Sequence, residues 1–291
     1  MKINLINANS DLGLTINGSD KGPRLIENKI DKSKINKIYN INKENILKST
    51  DKNDLKKNLK AVNNINKKIY DKVLETINEN SFPITIGGDH SVAIGSALAS
   101  NKNNNLGIIW LDAHLDYNTF KTTTTGNLHG LPLAAINGIV KELTNFYDGK
   151  HYNPLNTCIV GYRSLEDNRE IEFNNAKEQN VTVFDNTYIN NYGIKKALNN
   201  AIQIASKGTD GIHISFDIDL IDEKYAPGVS VPEKNGINLS QVDEILSILN
   251  NNKDKIKSFD LVEFNPNNDI NNKTLDIACN IINKIIDIKT R

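Results

Sequence analysis

The chain has 291 residues, of which 38% are hydrophobic and 24% charged, enough apolar material for a substantial core. Lys plus Arg and Asp plus Glu number 35 each, so no net field favours nucleic acid or an anionic membrane, and a charge near zero favours self-association. No segment approaches the roughly 18 apolar residues of a membrane span, and the opening MKINLINANSDLG lacks the long apolar run of a signal peptide. Cys158 and Cys279 lie far apart in apolar contexts and read as reduced core thiols, which fits a cytoplasmic protein. Asn- and Lys-rich stretches such as NKENILKSTDKNDLKKNLKAVNNINKK carry acids and apolar residues at helical spacing. They read as solvated helix faces rather than binding tracts.

In chain order, β-branched runs predict strands over 3–8, 37–41, 83–87, 106–112, 157–161, 181–184, 211–217 and 258–262. Amphipathic segments predict helices over 54–78, 90–99, 166–178, 194–206, 239–249 and 273–288. In the last, Leu275, Ile277, Ala278, Ile281, Ile282, Ile285 and Ile286 form a broad stripe with period near 3.6. Strands apolar on both faces and alternating with helices predict an α/β fold, a three-layer αβα sandwich around a mostly parallel sheet of about eight strands. With no repeat and no long linker, residues 1–291 are read as a single domain. In such sheets ligands bind beyond the carboxyl ends of the strands.

Four chemically loaded clusters fall at those ends. In ITIGGDHSVAIG, a strand runs into Gly87 and Gly88, then Asp89, His90 and Ser91 precede an apolar helix, which Asp89 or Ser91 would cap. In WLDAHLDYNTF, Asp112, His114 and Asp116 alternate, and would share one face if strand geometry continued. In ISFDIDLID, Asp217 and Asp219 repeat the pattern, with Asp222 beyond as a turn residue. In FDLVEFNP, Glu263 closes the last strand. Carboxylates beside buried strands are costly unless paired or bound to metal.

His90, Asp112, His114, Asp116, Asp217 and Asp219 exceed what one tetrahedral zinc takes. Oxygen donors with a little imidazole suit two divalent ions sharing carboxylates, with manganese favoured over zinc or copper. Two such ions would offset the four carboxylates and polarise water, and the site would welcome a cationic substrate.

GGDHS, DAHLD, the TTTTGNLHG loop, SFDIDLID and VEFNP, in this order, resemble the ureohydrolase family, and its arginase branch most closely. KGPRLIEN and IVGYRSLED resemble its opening and its Gly-x-Arg loop, so the resemblance spans nearly the whole chain. It implies two Mn2+ per chain, one held by His90, Asp112, Asp116 and Asp217, the other by Asp112, His114, Asp217 and Asp219. It further implies hydrolysis of the guanidinium of L-arginine to L-ornithine and urea by a metal-bridging hydroxide. His129 would transfer the proton to the leaving amine and Glu263 would orient the guanidinium. Asn118, Thr123, Thr125 and Asn127 would recognise the amino acid's carboxylate, and Glu166 would face its α-amino group. The resemblance also implies a homo-oligomer, a trimer or a hexamer.

Two positions depart from the arginase pattern. Glu166 stands where arginases carry an aspartate, with Asp167 beside it, and Val231 in APGVSVPEKNG replaces a threonine. The second segment resembles formimidoylglutamases, so that activity and an agmatinase- or guanidinobutyrase-like one stand as alternatives. A catalytically silent regulatory homologue is a further alternative, although such proteins lose metal ligands and all six are present here. His213 reads as a core or supporting residue, and His151 carries no assignment.

Overall fold

β-Branched runs too short for stable helices form eight strands, and the computed structural model pairs all of them in parallel. The structure describes residues 1–44, 46–49, 51, 53–164 and 169–290. In chain order the elements are β1 (Lys2–Asn9), α1 (Gly22–Lys29), β2 (Ile35–Asn42), α2 (Leu59–Asn78), β3 (Ser81–Gly87), α3 (Ala93–Asn101), β4 (Leu106–Leu111), α4 (Pro132–Ile136) and β5 (Thr157–Val160). There follow α5 (Arg169–Glu178), β6 (Thr182–Phe184), α6 (Asn186–Tyr192), α7 (Ile194–Ala205), β7 (Gly211–Asp217), α8 (Leu239–Asn251), β8 (Ile256–Val262) and α9 (Lys273–Thr290). Every expected strand and helix is found, with ends shifted by a few residues. The short helices α1, α4 and α6, which carry too few turns to show periodicity, were not expected.

The strand order is β2-β1-β3-β8-β7-β4-β5-β6. One apolar cluster packs α1, α7, α8 and α9 against one face of the sheet. A second packs α2, α3 and α4 against the other, which completes the three layers. Both cysteines are buried and unbridged. Among the described residues no helix is long and apolar enough to cross a membrane.

Two details of this frame set up the site. Chain order departs from strand order around β8, so the carboxyl ends of β3, β8, β7 and β4 lie side by side in the middle of the sheet. Gly88 lets the ends of β1 and β3 close on each other. A Cβ there would sit 1.8 Å from the Ser10 carbonyl oxygen, and the approach is sealed by bonds from Gly88 N to Ala8 O (3.0 Å) and from Asp89 N to Ser10 O (2.9 Å).

Candidate active site

β4 ends at Leu111, so Asp112, His114 and Asp116 do not lie along a pleat as the alternation predicts. The chain turns instead, and Asp116 adopts φ 51. Asp217 likewise ends β7 and caps a single 3-10 turn, its carboxylate accepting Asp219 N–H at 2.8 Å. Turns rather than strand alternation aim these side chains at one point. His90 begins a 3-10 turn after β3, capped by Asp89, whose carboxylate accepts N–H from Ser91 and Gly13, each at 2.9 Å. Glu263 follows β8 with φ 67.

The result is a buried basin of acids. Asp112 Oδ2, Asp116 Oδ2 and Asp217 Oδ2 lie 3.0–3.1 Å from His90 Nδ1. None of these contacts has hydrogen-bond geometry, and His90 Nδ1 and Asp112 Oδ2 are left without partners. One nitrogen cannot serve three carboxylates, but donors converging on a common centre can hold a cation. His114 Nδ1 lies 2.9 Å from Asp219 Oδ2 and 3.5 Å from Asp112 Oδ1. The donors thus form two groups, His90–Asp112–Asp217 and Asp112–His114–Asp219, with Asp112 in both. Trp110 stacks on the His90 ring at 3.9 Å, and Ser215 Oγ meets its Nε2 at 2.9 Å.

The electrostatics show what is missing. Burial, with Asp219 and Asp112 beside it, drives Asp217 well above the carboxylate range. Burial and Asp112 push Asp116 up to about 6, and burial with the same neighbour raises Asp219. Asp112 alone falls below its usual value, because His114 and His90 outweigh the upward push of burial. The packed carboxylates outweigh burial to raise both imidazoles, His90 and His114, well above theirs. Buried carboxylates that hold protons against one another are short of positive charge, and divalent cations would supply it. The residues therefore fit a two-metal centre.

Beside the basin, Glu263 Oε1 accepts the His90 backbone N–H at 2.8 Å and faces His129 Nδ1 at 3.1 Å, while Oε2 is buried without a partner. This carboxylate outweighs burial to raise His129 to about 9. Burial and Glu263 raise Asp89 to about 6. The stretch from Asn118 to Gly130 folds back on itself, with Asn118 N bonded to Gly130 O and His129 N to Gly13 O, both at 3.1 Å. Asn118 and Thr123 are buried in it and Thr125 is exposed. The Asn127 Oδ1 is buried without a partner. Glu166 and Asp167 lie outside the described residues.

Other residues take supporting places. His213 is buried, its Nδ1 on Ser258 Oγ (2.7 Å) and its Nε2 3.1 Å from Asp260, and His151 meets Thr144. Asp222 accepts the Gly236 N–H at 3.0 Å. Arg163, in the GYRS loop, binds the backbone carbonyls of Asp219 (2.6 Å), Glu233 (3.2 Å) and Lys234 (3.0 Å). The sequence pointed to Asp89 only as a cap, which it is, and gave no role to Ser215 or Glu233. The only local signal for them was their position inside or next to the loaded motifs.

The chain matches the arginase family over residues 1–287. The arginase of Bacillus subtilis (strain 168) is 36% identical over 300 residues, covering 99% of this chain and 98% of its own. The native arginase of Bacillus caldovelox superposes with a TM-score of 0.88 at 30% identity, covering 98% of each chain. The arginase of Entamoeba histolytica, solved with L-ornithine, gives 0.86 at 26% identity over 98% of this chain and 97% of that one. The chain belongs to the arginase family of C–N hydrolases.

Proposed function

We propose that this protein is a dimanganese arginase, hydrolysing L-arginine to L-ornithine and urea. The observation that carries the reading is the pair of buried donor groups sharing Asp112, set beside a carboxylate oxygen, Glu263 Oε2, that nothing in the chain satisfies. The similarity to arginases of full length, one of them solved with L-ornithine, supports the same substrate.

His90, Asp112, Asp116, Asp217, His114 and Asp219 would hold two divalent ions, which would supply a nucleophile from water at neutral pH. The ions are manganese, because carboxylate oxygens outnumber imidazoles in the donor set. A guanidinium is planar, permanently charged and a poor electrophile, so it must be oriented as well as attacked. Glu263 does this with Oε2, while Oε1 stays anchored on the His90 N–H. The departing amine needs a proton. Glu263, facing Nδ1, favours the protonated form of His129, whose Nε2 would then hand a proton on.

Asn118, Thr123, Thr125 and Asn127 line the loop that recognises the amino acid's carboxylate, and Glu166 is assigned to its α-amino group. The protein works as one domain in a cytoplasmic homo-oligomer, a trimer or a hexamer. Urea release from the manganese-loaded protein tests the reading on arginine, agmatine, guanidinobutyrate and formimidoylglutamate. Turnover of arginine well above the other three is expected. Turnover of another one in its place would reassign the substrate, and no turnover with fewer than two ions per chain would leave a silent homologue.

A further inference from the structure

The two histidines of the basin present the same nitrogen to it, and each must then keep its proton on the other. His90 Nδ1 and His114 Nδ1 both face the carboxylates. A neutral imidazole offers a lone pair from one nitrogen only if the proton sits on the other, and a buried N–H needs an acceptor. For His90 that acceptor is Ser215 Oγ, 2.9 Å from Nε2. For His114 no hydrogen bond is made, and Nε2 is buried without a partner. The carboxylate facing it is Glu233 Oε1, at 3.6 Å.

Glu233 is held there from both sides. Arg163 binds the carbonyls of Glu233 and Lys234, and the same guanidinium binds the carbonyl of Asp219, a member of the His114 group. The segment is closed further on by Asp222 accepting the Gly236 N–H and by a bridge between Ile221 and Ile237. The loop that carries the carboxylate and the turn that carries Asp219 are therefore stapled by one side chain. On its other side Glu233 borders an open hollow of about 310 Å³ with Arg169 and Asn186 on its wall. Glu233 is half-buried and belongs to neither apolar cluster.

We propose that Glu233 is the positioning residue of the second cation: its carboxylate accepts the Nε2–H of His114, which keeps the proton on that nitrogen and leaves Nδ1 as the one offered to the metal. This rests on the two-metal reading above. Carboxylate–imidazole–metal relays of this kind orient the ring and raise its basicity, and losing the carboxylate typically costs about 10- to 100-fold in metal affinity. His90, backed by a hydroxyl on another strand, does not depend on Glu233.

The test needs no substrate. The purified protein is loaded with Mn2+, and the ions are withdrawn stepwise by a chelator while free Mn2+ is counted by electron paramagnetic resonance. The parent should release two ions per chain. Glu233→Ala should release one of them at roughly 10- to 100-fold lower chelator strength and leave the other unchanged. Glu233→Gln, which keeps an oxygen acceptor, should recover most of the loss. Two release steps in the alanine variant that overlay the parent's would overturn the proposal, and so would an equal weakening of both ions. A parent that never holds two ions would instead overturn the two-metal reading, and this one with it.

Discussion

Replacing Glu263 with glutamine changes the charge and half of the hydrogen-bonding pattern of one side chain, and almost nothing of its shape. Glutamine can keep its carbonyl oxygen on the His90 N–H, where Oε1 now sits at 2.8 Å. Its NH2 then takes the place of Oε2, the buried oxygen without a partner. A guanidinium has donors and no acceptor, so an acceptor is replaced by a donor that faces donors. The lost charge-assisted bond is about 1.5–3 kcal/mol, and the buried donors left unsatisfied add about 1–3 kcal/mol. A central value of about 3–4 kcal/mol corresponds to roughly 10²- to 10³-fold in kcat/KM, at 1.4 kcal/mol per tenfold. The assay is urea release from arginine by parent and Glu263→Gln, with manganese content and Tm measured on the same samples. Metal content and Tm should stay close to the parent's. A kcat/KM within tenfold of the parent would refute the reasoning, and so would an activity loss that tracks a loss of manganese.

His129→Asn should lower turnover by roughly 10²- to 10⁴-fold while manganese is retained, since His129 lies outside both donor groups; equal loss of metal in that variant would contradict it. Gly88→Ala would put a Cβ 1.8 Å from the Ser10 carbonyl, so the end of β1 must retreat and the bonds from Gly88 and Asp89 to it must give way. A cost of about 2–4 kcal/mol in denaturant unfolding is expected, with less manganese retained, and a change under about 0.5 kcal/mol would count against it. Lys289 is buried, donates to the carbonyls of Lys253 and Ile256, and lies over the Phe82 ring. Burial lowers it to about 8. Between there and its free value of 10.5 the unfolded chain binds more protons, so stability rises with pH, by at most ~1.4 kcal/mol per unit. The stability difference between parent and Lys289→Met should follow that slope between pH 8 and 10.5; a difference that stays flat there would refute it.

The sheet was legible because strands buried on both faces leave an apolar run, unbroken in LGIIWL and interrupted by buried polar residues in GIHISFD. The basin was legible for a reason that proved only partly physical. Asp112, His114 and Asp116 are spaced as a pleat would space them, yet they meet through a turn after β4 that puts Asp116 at a positive φ. Asp116 and Glu263 are the only described residues at such angles that are neither Asn nor Gly. Each conformation costs about 1–3 kcal/mol, and both fall at the site. No local pattern reports that, because the strain is held by the packed strand ends around it. Glu233 was illegible for a similar reason. It stands 119 residues from His114 in number, and contacts as distant in sequence as the Arg163 staple bring the two together.

The position of β8 has a consequence for how this molecule comes to exist. It is the last strand of the described chain, yet it lies at the centre of the sheet, between β3 and β7. A chain still emerging from the ribosome can assemble β2-β1-β3 and β7-β4-β5-β6, but not join them. Until β8 slots in, two inner edges stand unpaired, each a template for the wrong neighbour. His90 then belongs to one half and the aspartates to the other, with Glu263 not yet made. Closure through contacts so distant in sequence is slow. Productive folding therefore competes with edge-to-edge aggregation until synthesis is nearly over, and His90 joins Asp112 and Asp217 to complete their donor group only in the final step.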